Sequence, residues 1–115
     1  MFVKVTVLVV LLCLVMGKKS TTTKHYLGAW RDRNVKDKDV VEAADKSVAA
    51  YSNLKQMMHG DFRIEKARSQ IVSGINYELR IVVRFPHFND CYVDKMYEQP
   101  WTKTERHSFK NCTYN

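Results

Sequence analysis

Three cysteines and four histidines are the residues of this chain best suited to act as nucleophiles, proton carriers or metal ligands. No Cys-x-x-Cys pair is present, and His87 and His107 do not lie at metal-site spacing from Cys91 or Cys112. No serine stands in a nucleophile-elbow sequence, and the four glycines form no phosphate-binding loop. The residue types therefore argue against an enzyme, and the sequence predicts neither a metal site nor another cofactor.

Two short apolar segments are better suited to bind a partner than to react. The first follows a predicted strand and consists of Gln70, Ile71, Val72, Ser73 and Gly74. A hairpin tip normally faces water and favours polar residues, so an apolar tip that ends in a permissive glycine is typical of a surface that enters a partner. The second is Pro100-Trp101, because an exposed tryptophan in a turn often marks an interface anchor.

The beginning of the chain has the pattern of a secretory signal peptide. Lys4 is followed by an apolar run from Val5 to Met16. A transmembrane helix needs about 20 apolar residues, which is longer than this run. We expect residues 1–17 to be the signal peptide, 18–26 to be a flexible segment and 27–115 to be one domain of a secreted protein. A buried strand or an uncleaved anchor is the alternative for the apolar run.

The cysteines support an extracellular location. Cys13 lies in the predicted signal peptide, so its removal leaves the even pair Cys91 and Cys112 in an oxidising compartment. A structural disulfide is the favoured interpretation, and two free thiols are the alternative. Closing a loop of this length adds about 3 kcal/mol to stability in the chain-entropy model.

An early helical pattern followed by alternating strands indicates an α+β domain. Apolar residues at helical spacing predict a helix over 37–56, and Asp39 with Glu42 resembles a capping box. The apolar stripe consists of Val40, Val41, Ala44, Val48, Tyr51 and Leu54. Strict alternation predicts a strand over 75–85. Further strands are expected over 27–33, 62–69, 91–99 and 102–110. The strand over 62–69 should contain a bulge or kink, because its parity shifts at Ala67.

These elements predict a single α-helix packed on a twisted antiparallel β-sheet of four to five strands. In a meander of this order, the turns at 70–74 and 100–101 lie at the same end of the sheet. Leu27-Gly28 joins them there if the first strand pairs with the strand at 62–69. The two apolar turns and the start of the domain are therefore expected to form one surface.

This combination resembles the cystatin family, and in particular the secreted type-2 cystatins. Gln70–Gly74 matches the Gln-x-Val-x-Gly loop of the family, and Pro100-Trp101 matches the Pro-Trp pair of its second loop. Leu27-Gly28 stands where the family has its amino-terminal glycine. Cys91 and Cys112 match the carboxy-terminal disulfide, and the other of the two usual disulfides is missing.

The resemblance implies a reversible inhibitor of papain-like cysteine proteases of the cathepsin type. Three segments would form a wedge that enters the active-site cleft. Leu27 would fill a substrate pocket, Gly28 would bend the chain away from the catalytic thiol, and Val72 and Trp101 would pack over the cleft. The resemblance thus implies that the protease-binding residues are Leu27, Gly28, Gln70, Ile71, Val72, Ser73, Gly74, Pro100 and Trp101.

The charge of the chain leaves a second interpretation open. A net charge of +7 suits acidic partners such as anionic membranes, glycosaminoglycans or nucleic acids. Basic and acidic residues alternate in 31–33 and 36–39, however, which favours an ordinary solvated surface. We therefore expect no nucleic-acid partner, no stable membrane association and a monomeric protein. A domain-swapped dimer is the alternative to the monomer, because an inhibitory loop can act as a hinge. The alternative function is a basic protein of cystatin fold, of antimicrobial or reproductive type, that binds membranes or polyanions without inhibiting proteases.

Overall fold

The computed structural model describes residues 28–114. The secondary structure consists, in chain order, of β1 (Trp30–Arg33), α1 (Lys38–Lys55), β2 (Phe62–Val72), β3 (Gly74–Arg84), β4 (Asn89–Gln99), a 3₁₀ turn (Pro100–Thr102), β5 (Thr104–Arg106) and β6 (Phe109–Asn111). The predicted signal peptide, the segment 18–26 and Leu27 lie outside the described residues. Within 28–114, no helix is long and apolar enough to cross a membrane.

The helix α1 agrees with the predicted range to within one residue at each end. Its stripe buries five apolar side chains against the sheet: Val40, Ala43, Ala44, Val48 and Tyr51. Val41 and Leu54 were predicted on this stripe but are 38% and 65% exposed. The predicted capping box is wrong, because the helix begins at Lys38 and Asp37 is the N-cap residue, without a side-chain cap hydrogen bond.

The sheet is an antiparallel meander in which each strand lies beside its neighbour in sequence, in the order β1-β2-β3-β4-β5. The predicted architecture of one helix on an antiparallel sheet is confirmed, with six strands instead of four to five. A bulge in β2 lies between Ile64 and Lys66, which confirms the irregularity predicted from the parity shift at Ala67. The bulge changes which side chains face the helix, so Ile64 and Ala67 both point inward although they are three residues apart.

The predicted last strand over 102–110 is divided into β5 and β6, both of which pair with β4. The two strands keep one common register along β4, from Gln99 opposite Thr104 to Tyr92 opposite Asn111. Between them, the main chains of Lys95 and Ser108 exchange two hydrogen bonds of 2.9 and 3.1 Å. The sequence predicted one continuous strand here, and the structure has two short strands in the same register beside β4.

An aromatic cluster and a buried carboxylate join the helix to β4. The Tyr51 ring stacks on Tyr92 at a centroid distance of 4.0 Å, and Phe109 meets both rings edge-on. Asp94 is fully buried. One of its oxygens accepts a hydrogen bond of 2.7 Å from the Ser47 hydroxyl of the helix. Burial of a carboxylate is costly unless it is hydrogen-bonded, and this one is.

The predicted disulfide between Cys91 and Cys112 is confirmed. It joins the beginning of β4 to the residue after β6, and the Cys112 amide also donates a hydrogen bond of 3.0 Å to the Cys91 carbonyl. This link lies at the end of β4 that is remote from the 3₁₀ turn. It therefore fixes the carboxy-terminal strands without touching the turn.

Candidate functional site: a three-segment edge

Three chain segments meet at one end of the sheet. They are the beginning of the described chain at Gly28, the tip of the β2–β3 hairpin at Ser73, and the 3₁₀ turn Pro100–Thr102 between β4 and β5. Because β1, β2, β3 and β4 are successive neighbours in the meander, their connections at this end come together. We refer to these segments, with residues 70–74, as the loop edge.

The hairpin tip is a single residue long. Val72 is paired with Gly74 across the tip, which leaves Ser73 alone between the two strands. Gly74 has a φ of +109°, and a Cβ atom added to it would lie 2.6 Å from the Glu98 carbonyl oxygen and 2.9 Å from the Tyr97 hydroxyl. Glycine is therefore required here twice, by its backbone conformation and by the close approach of β4.

Hydrogen bonds attach the hairpin tip to β4. The Tyr97 hydroxyl donates to the Ser73 carbonyl oxygen. The Gln99 side-chain amide lies 3.3 Å from both that oxygen and the Ser73 hydroxyl. Two side chains of β4 thus hold the carbonyl at the tip in one orientation, which rigidifies the tip.

A network of hydroxyl groups continues from Gln99 into the 3₁₀ turn. The Thr102 hydroxyl donates a hydrogen bond of 2.7 Å to the Gln99 side-chain oxygen and lies 2.8 Å from the Thr104 hydroxyl. The turn closes at Lys103, which has a left-handed φ of 54° and donates its amide to the Pro100 carbonyl at 3.1 Å. The hairpin tip and the 3₁₀ turn are consequently connected through Gln99.

The Gln70 side chain attaches the amino-terminal segment to the same hairpin. Its amide nitrogen donates a hydrogen bond of 2.8 Å to the Gly28 carbonyl, and its amide oxygen accepts one of 2.9 Å from Asn76. The Gly28 amide donates to the Ile71 carbonyl at 2.9 Å. Gly28 has a φ of +77°, and nothing lies within 4 Å of an added Cβ, so only its backbone conformation favours glycine.

The loop edge exposes apolar side chains that the core does not need. Trp101 is 68% exposed, and Ile71 and Val72 are about two-fifths exposed. The structure brings together every predicted site residue that it describes: Gly28, Gln70, Ile71, Val72, Ser73, Gly74, Pro100 and Trp101. Leu27 lies outside the described residues, so its place is not known.

The residues that brace the loop edge were missed by sequence reasoning. Tyr97, Gln99 and Asn76 occupy ordinary strand positions, and their side-chain types carry no motif. The register of the β3–β4 pair is the signal that identifies them, because it places Tyr97 directly opposite Asn76. The Arg106 guanidinium lies 5.0 Å from the centroid of the Tyr97 ring and covers it from the β5 side.

Ion pairs behind the loop edge join the helix to the sheet. The Lys46 ammonium lies 3.1 Å from a Glu98 carboxylate oxygen, and the Arg33 guanidinium lies 2.7 Å from Asp39. Burial raises the pKa of Asp39, but hydrogen bonds from Arg33 and from the Tyr77 hydroxyl outweigh it and hold this pKa below its ordinary value. The helix therefore carries charged groups that fix its position relative to the loop edge.

The arrangement is suited to docking. Its exposed groups are apolar side chains and amides, and the hydroxyl groups of Ser73 and Thr102 are hydrogen-bonded to the Gln99 side chain. In the described part of the chain, no group of three His, Cys, Asp or Glu side chains is arranged to hold a metal ion.

Comparison with known proteins agrees with this fold. A family model described as the cystatin domain matches residues 28–115. L-cystatin of Tachypleus tridentatus is 48% identical over 56 residues, which cover 47% of this chain and 42% of that protein. The match therefore spans less than half the length of this relative.

Two solved structures have the same fold at low sequence identity. The crystal structure of Al-CPI superposes with a TM-score of 0.62 at 16% identity, over 75% of this chain and 98% of the other. The salivary cystatin of the soft tick Ornithodoros moubata gives a TM-score of 0.60 at 15% identity, with the same coverage. The matched domain, the fold and the disulfide lead to one conclusion: the chain belongs to the cystatin family, whose members are inhibitors of cysteine proteases and not enzymes.

Proposed function

We propose that this protein is a secreted, reversible inhibitor of papain-like cysteine proteases that inserts its loop edge into the active-site cleft. The observation that carries the proposal is the coincidence of three exposed, uncharged segments at one end of the sheet. Their chemistry is that of an interface core, in which aromatic side chains are enriched and charged residues are depleted.

The hydrogen bonds within the loop edge favour tight binding. Association costs free energy for every loop and side chain that becomes ordered, so an edge that is already ordered loses less. Ser73 is held by β4, Gln70 holds Gly28, and Gln99 is bonded to the 3₁₀ turn. Trp101, the most exposed large side chain of the edge, is suited to be its anchor.

The orientation of the Ser73 carbonyl explains how the edge would resist cleavage. Proteolysis requires a peptide carbonyl within reach of the nucleophile, with its oxygen bound by the donors of the oxyanion hole. The Ser73 oxygen already accepts hydrogen bonds from Tyr97 and Gln99 and points toward β4. The exposed side chains of Ile71 and Val72 would occupy the cleft while the bond at the tip faces inward.

Leu27 and the signal peptide complete the proposal. Leu27 directly precedes Gly28, so its side chain would reach a substrate pocket beside the hairpin tip. Residues 1–17 would direct the chain to the secretory pathway, where Cys91 and Cys112 can be oxidised.

The test is an inhibition titration with the protein secreted by cells that express the full chain. Active papain is titrated, and its residual activity on a small fluorogenic peptide is measured. We expect competitive inhibition, with the inhibitor recovered uncleaved by mass spectrometry. Absence of inhibition at micromolar concentration would refute the proposal.

A second measurement separates docking from chemistry at the thiol. Papain whose catalytic cysteine has been carbamidomethylated is offered to the same protein in a calorimetric titration. We expect binding to persist, because the loop edge contacts the walls of the cleft and forms no bond with sulfur. Binding that depends on a free thiol would contradict the wedge mechanism.

A further inference from the structure

The basic residues of this protein are gathered on one face of the sheet. The face turned away from α1, which we call the outer face, carries eight of them: Arg63, Lys66, Arg68, Arg80, Arg84, Lys95, Arg106 and Lys110. Four carboxylates lie on it or at its border: Asp32, Asp61, Glu65 and Glu78. The rest of the chain between residues 28 and 114 holds seven basic and eight acidic side chains, so the excess positive charge belongs to the outer face.

The bulge in β2 creates this face. Without it, strict alternation from Ile64 would turn Lys66 and Arg68 toward the helix. The extra residue at Glu65 shifts the register, so that Ala67 is buried and the two basic side chains join Arg63 on the outer face. The bulge thus gathers three basic side chains of β2 on the outer face, with the one carboxylate of the strand, Glu65, on or beside it.

The carboxylates of the outer face are largely occupied by arginines. Glu65 lies 3.3 Å from the Arg63 guanidinium and 3.1 Å from that of Arg80. Glu78 accepts two hydrogen bonds from Arg68, of 2.9 and 3.1 Å. Neutralised in this way, these acids do not cancel the charge of the neighbouring lysines.

Three lysines on this face are exposed and have no carboxylate within salt-bridge distance among residues 28–114: Lys66, Lys95 and Lys110. Lys66 and Lys110 occupy one row across the sheet, with Arg80 and Val93 between them. Three strand spacings separate the ends of this row, which is roughly 14 Å. The row includes the shallow depression lined by Lys66, Glu78, Arg80 and Val93.

We propose that the outer face binds a linear sulfated polysaccharide. Cations at three of the four positions of the row match a charged chain laid across the sheet, and release of its condensed counterions would drive association. A membrane is less suitable, because the exposed apolar side chains on this face, Trp30 and Val72, lie near the loop edge and none accompanies the row.

The outer face and the loop edge can be occupied together. Lys66 and Val72 are six positions apart in β2, a distance of about 20 Å along an extended strand. A protease on the loop edge would leave the row accessible, so polysaccharide binding would retain the inhibitor in an extracellular matrix while it stays active. Retention of an active inhibitor rests on the proposed protease inhibition, whereas the binding of the polysaccharide does not.

The probe is a heparin dodecasaccharide, titrated calorimetrically into the secreted protein at about 50 and about 200 mM salt, the range over which counterion release is resolved. The variant Lys66→Gln/Lys110→Gln removes the ends of the row. The matched control Lys36→Gln/Lys38→Gln loses the same charge from exposed positions at the start of α1. We expect salt-dependent binding that weakens about tenfold in the first variant and less than twofold in the control.

Three outcomes would overturn the proposal. They are the absence of heparin binding at the lower salt concentration, equal weakening in the two variants, and binding to vesicles of phosphatidylcholine and phosphatidylserine in place of heparin. Thermal unfolding midpoints establish that both variants are folded, independently of any protease. Heparin binding without papain inhibition would support this surface while refuting the proposed inhibitor.

Discussion

The Tyr97 hydroxyl donates a hydrogen bond to the main-chain carbonyl of Ser73, and so joins the middle of the loop edge to β4. The edge of the Tyr97 ring also lies beneath Gly74, where an added Cβ atom would come within 3.1 Å of it. One side chain therefore fixes both the orientation of the tip and the space allowed to its glycine. The conformation of the hairpin tip is therefore fixed by β4, a neighbouring strand, and not by the exposed side chains of the tip itself.

Replacing Tyr97 with phenylalanine tests this brace. The ring remains, but the Ser73 carbonyl loses one of its two donors and keeps only Gln99, a loss that costs about 1 kcal/mol in a typical case. We expect the inhibition constant for papain to rise about fivefold while the thermal midpoint changes little. Tyr114→Phe, another exposed tyrosine, serves as the control. An unchanged inhibition constant in Tyr97→Phe would show that the carbonyl needs no brace.

A methyl group at Gly74 should be poorly tolerated. Gly74→Ala places a Cβ 2.6 Å from the Glu98 carbonyl at a φ of +109°, so we expect a loss of at least about 2 kcal/mol in the free energy of unfolding. Gly60→Ala is the control, because its Cβ would lie 3.7 Å from Arg84, an ordinary contact. Urea unfolding measures both. Equal effects of the two substitutions would contradict the close approach of β4.

Trp101 should contribute to binding and not to folding. Its side chain is 68% exposed, so Trp101→Ala is expected to leave the unfolding free energy nearly unchanged. As an aromatic anchor it would account for at least about 2 kcal/mol of the binding free energy, about thirtyfold in the inhibition constant. Leu54→Ala, 65% exposed on the helix, is the matched control. A similar inhibition constant for both variants would remove Trp101 from the interface.

His107 should make stability depend on pH. Its Nδ1 lies 2.6 Å from an Asp94 oxygen and its Nε2 lies 2.7 Å from a Glu105 oxygen. Both carboxylates therefore stabilise the protonated form of the ring. Burial lowers the pKa of His107, but these two hydrogen bonds and charges outweigh it and raise the pKa above its ordinary value. The stabilisation is therefore complete below the unfolded pKa of about 6.5 and is lost as the pH rises through the folded pKa.

Urea unfolding as a function of pH checks the sign. The unfolding free energy of the native protein should fall as the pH rises from about 6 toward 9, and this slope should be smaller in His107→Gln. The other groups at this site, the Ser47 hydroxyl and the Ser108 amide, do not titrate in this range. Identical slopes in the two proteins would assign the pH dependence to other groups.

Removing the disulfide should weaken the fold without altering the loop edge. Cys91→Ser/Cys112→Ser opens a loop with a sequence separation of 21, which costs about 3 kcal/mol in the chain-entropy model. The link lies at the other end of β4 from the 3₁₀ turn, so the folded fraction should inhibit papain as the native protein does. Urea unfolding and active-site titration measure the two effects. A changed inhibition constant for the folded fraction would mean that the link also positions the edge.

Local patterns predicted the elements of this fold well, and the places where they failed have physical causes. The alternation of Tyr77, Leu79 and Ile81 gave β3 nearly to its ends, because one face of that strand is buried throughout. The parity shift at Ala67 predicted a bulge or kink in β2 but did not identify the extra residue, since that residue is fixed by cross-strand pairing, which a single strand does not reveal. Leu54 was placed on the buried stripe, but at the last turn of α1 it is exposed.

For the loop edge too, the sequence predicted some residues and missed others. The exposed residues of the edge stand in recognisable short motifs, which identified them in the sequence. The order of the strands then predicted that these motifs lie at the same end of the sheet. The residues that hold them, such as Tyr97 and Gln99, were invisible because hydrogen bonds to Ser73 depend on the register between β3 and β4. The basic outer face was missed because the bulge that turns Lys66 and Arg68 to the same side as Arg63 is fixed only by pairing with β3.

The one-residue tip at Ser73 has a consequence for how the chain folds. Strands β2 and β3, each of 11 residues, are joined by a single unpaired residue, so the contacts nearest the tip close the shortest length of chain. Contacts of this kind are entropically the least costly to form early, which makes the β2–β3 hairpin the natural nucleus of the domain. The residues proposed to meet a protease would then also set the folding rate. Substitutions at Gly74 would be expected to slow refolding more than they speed unfolding.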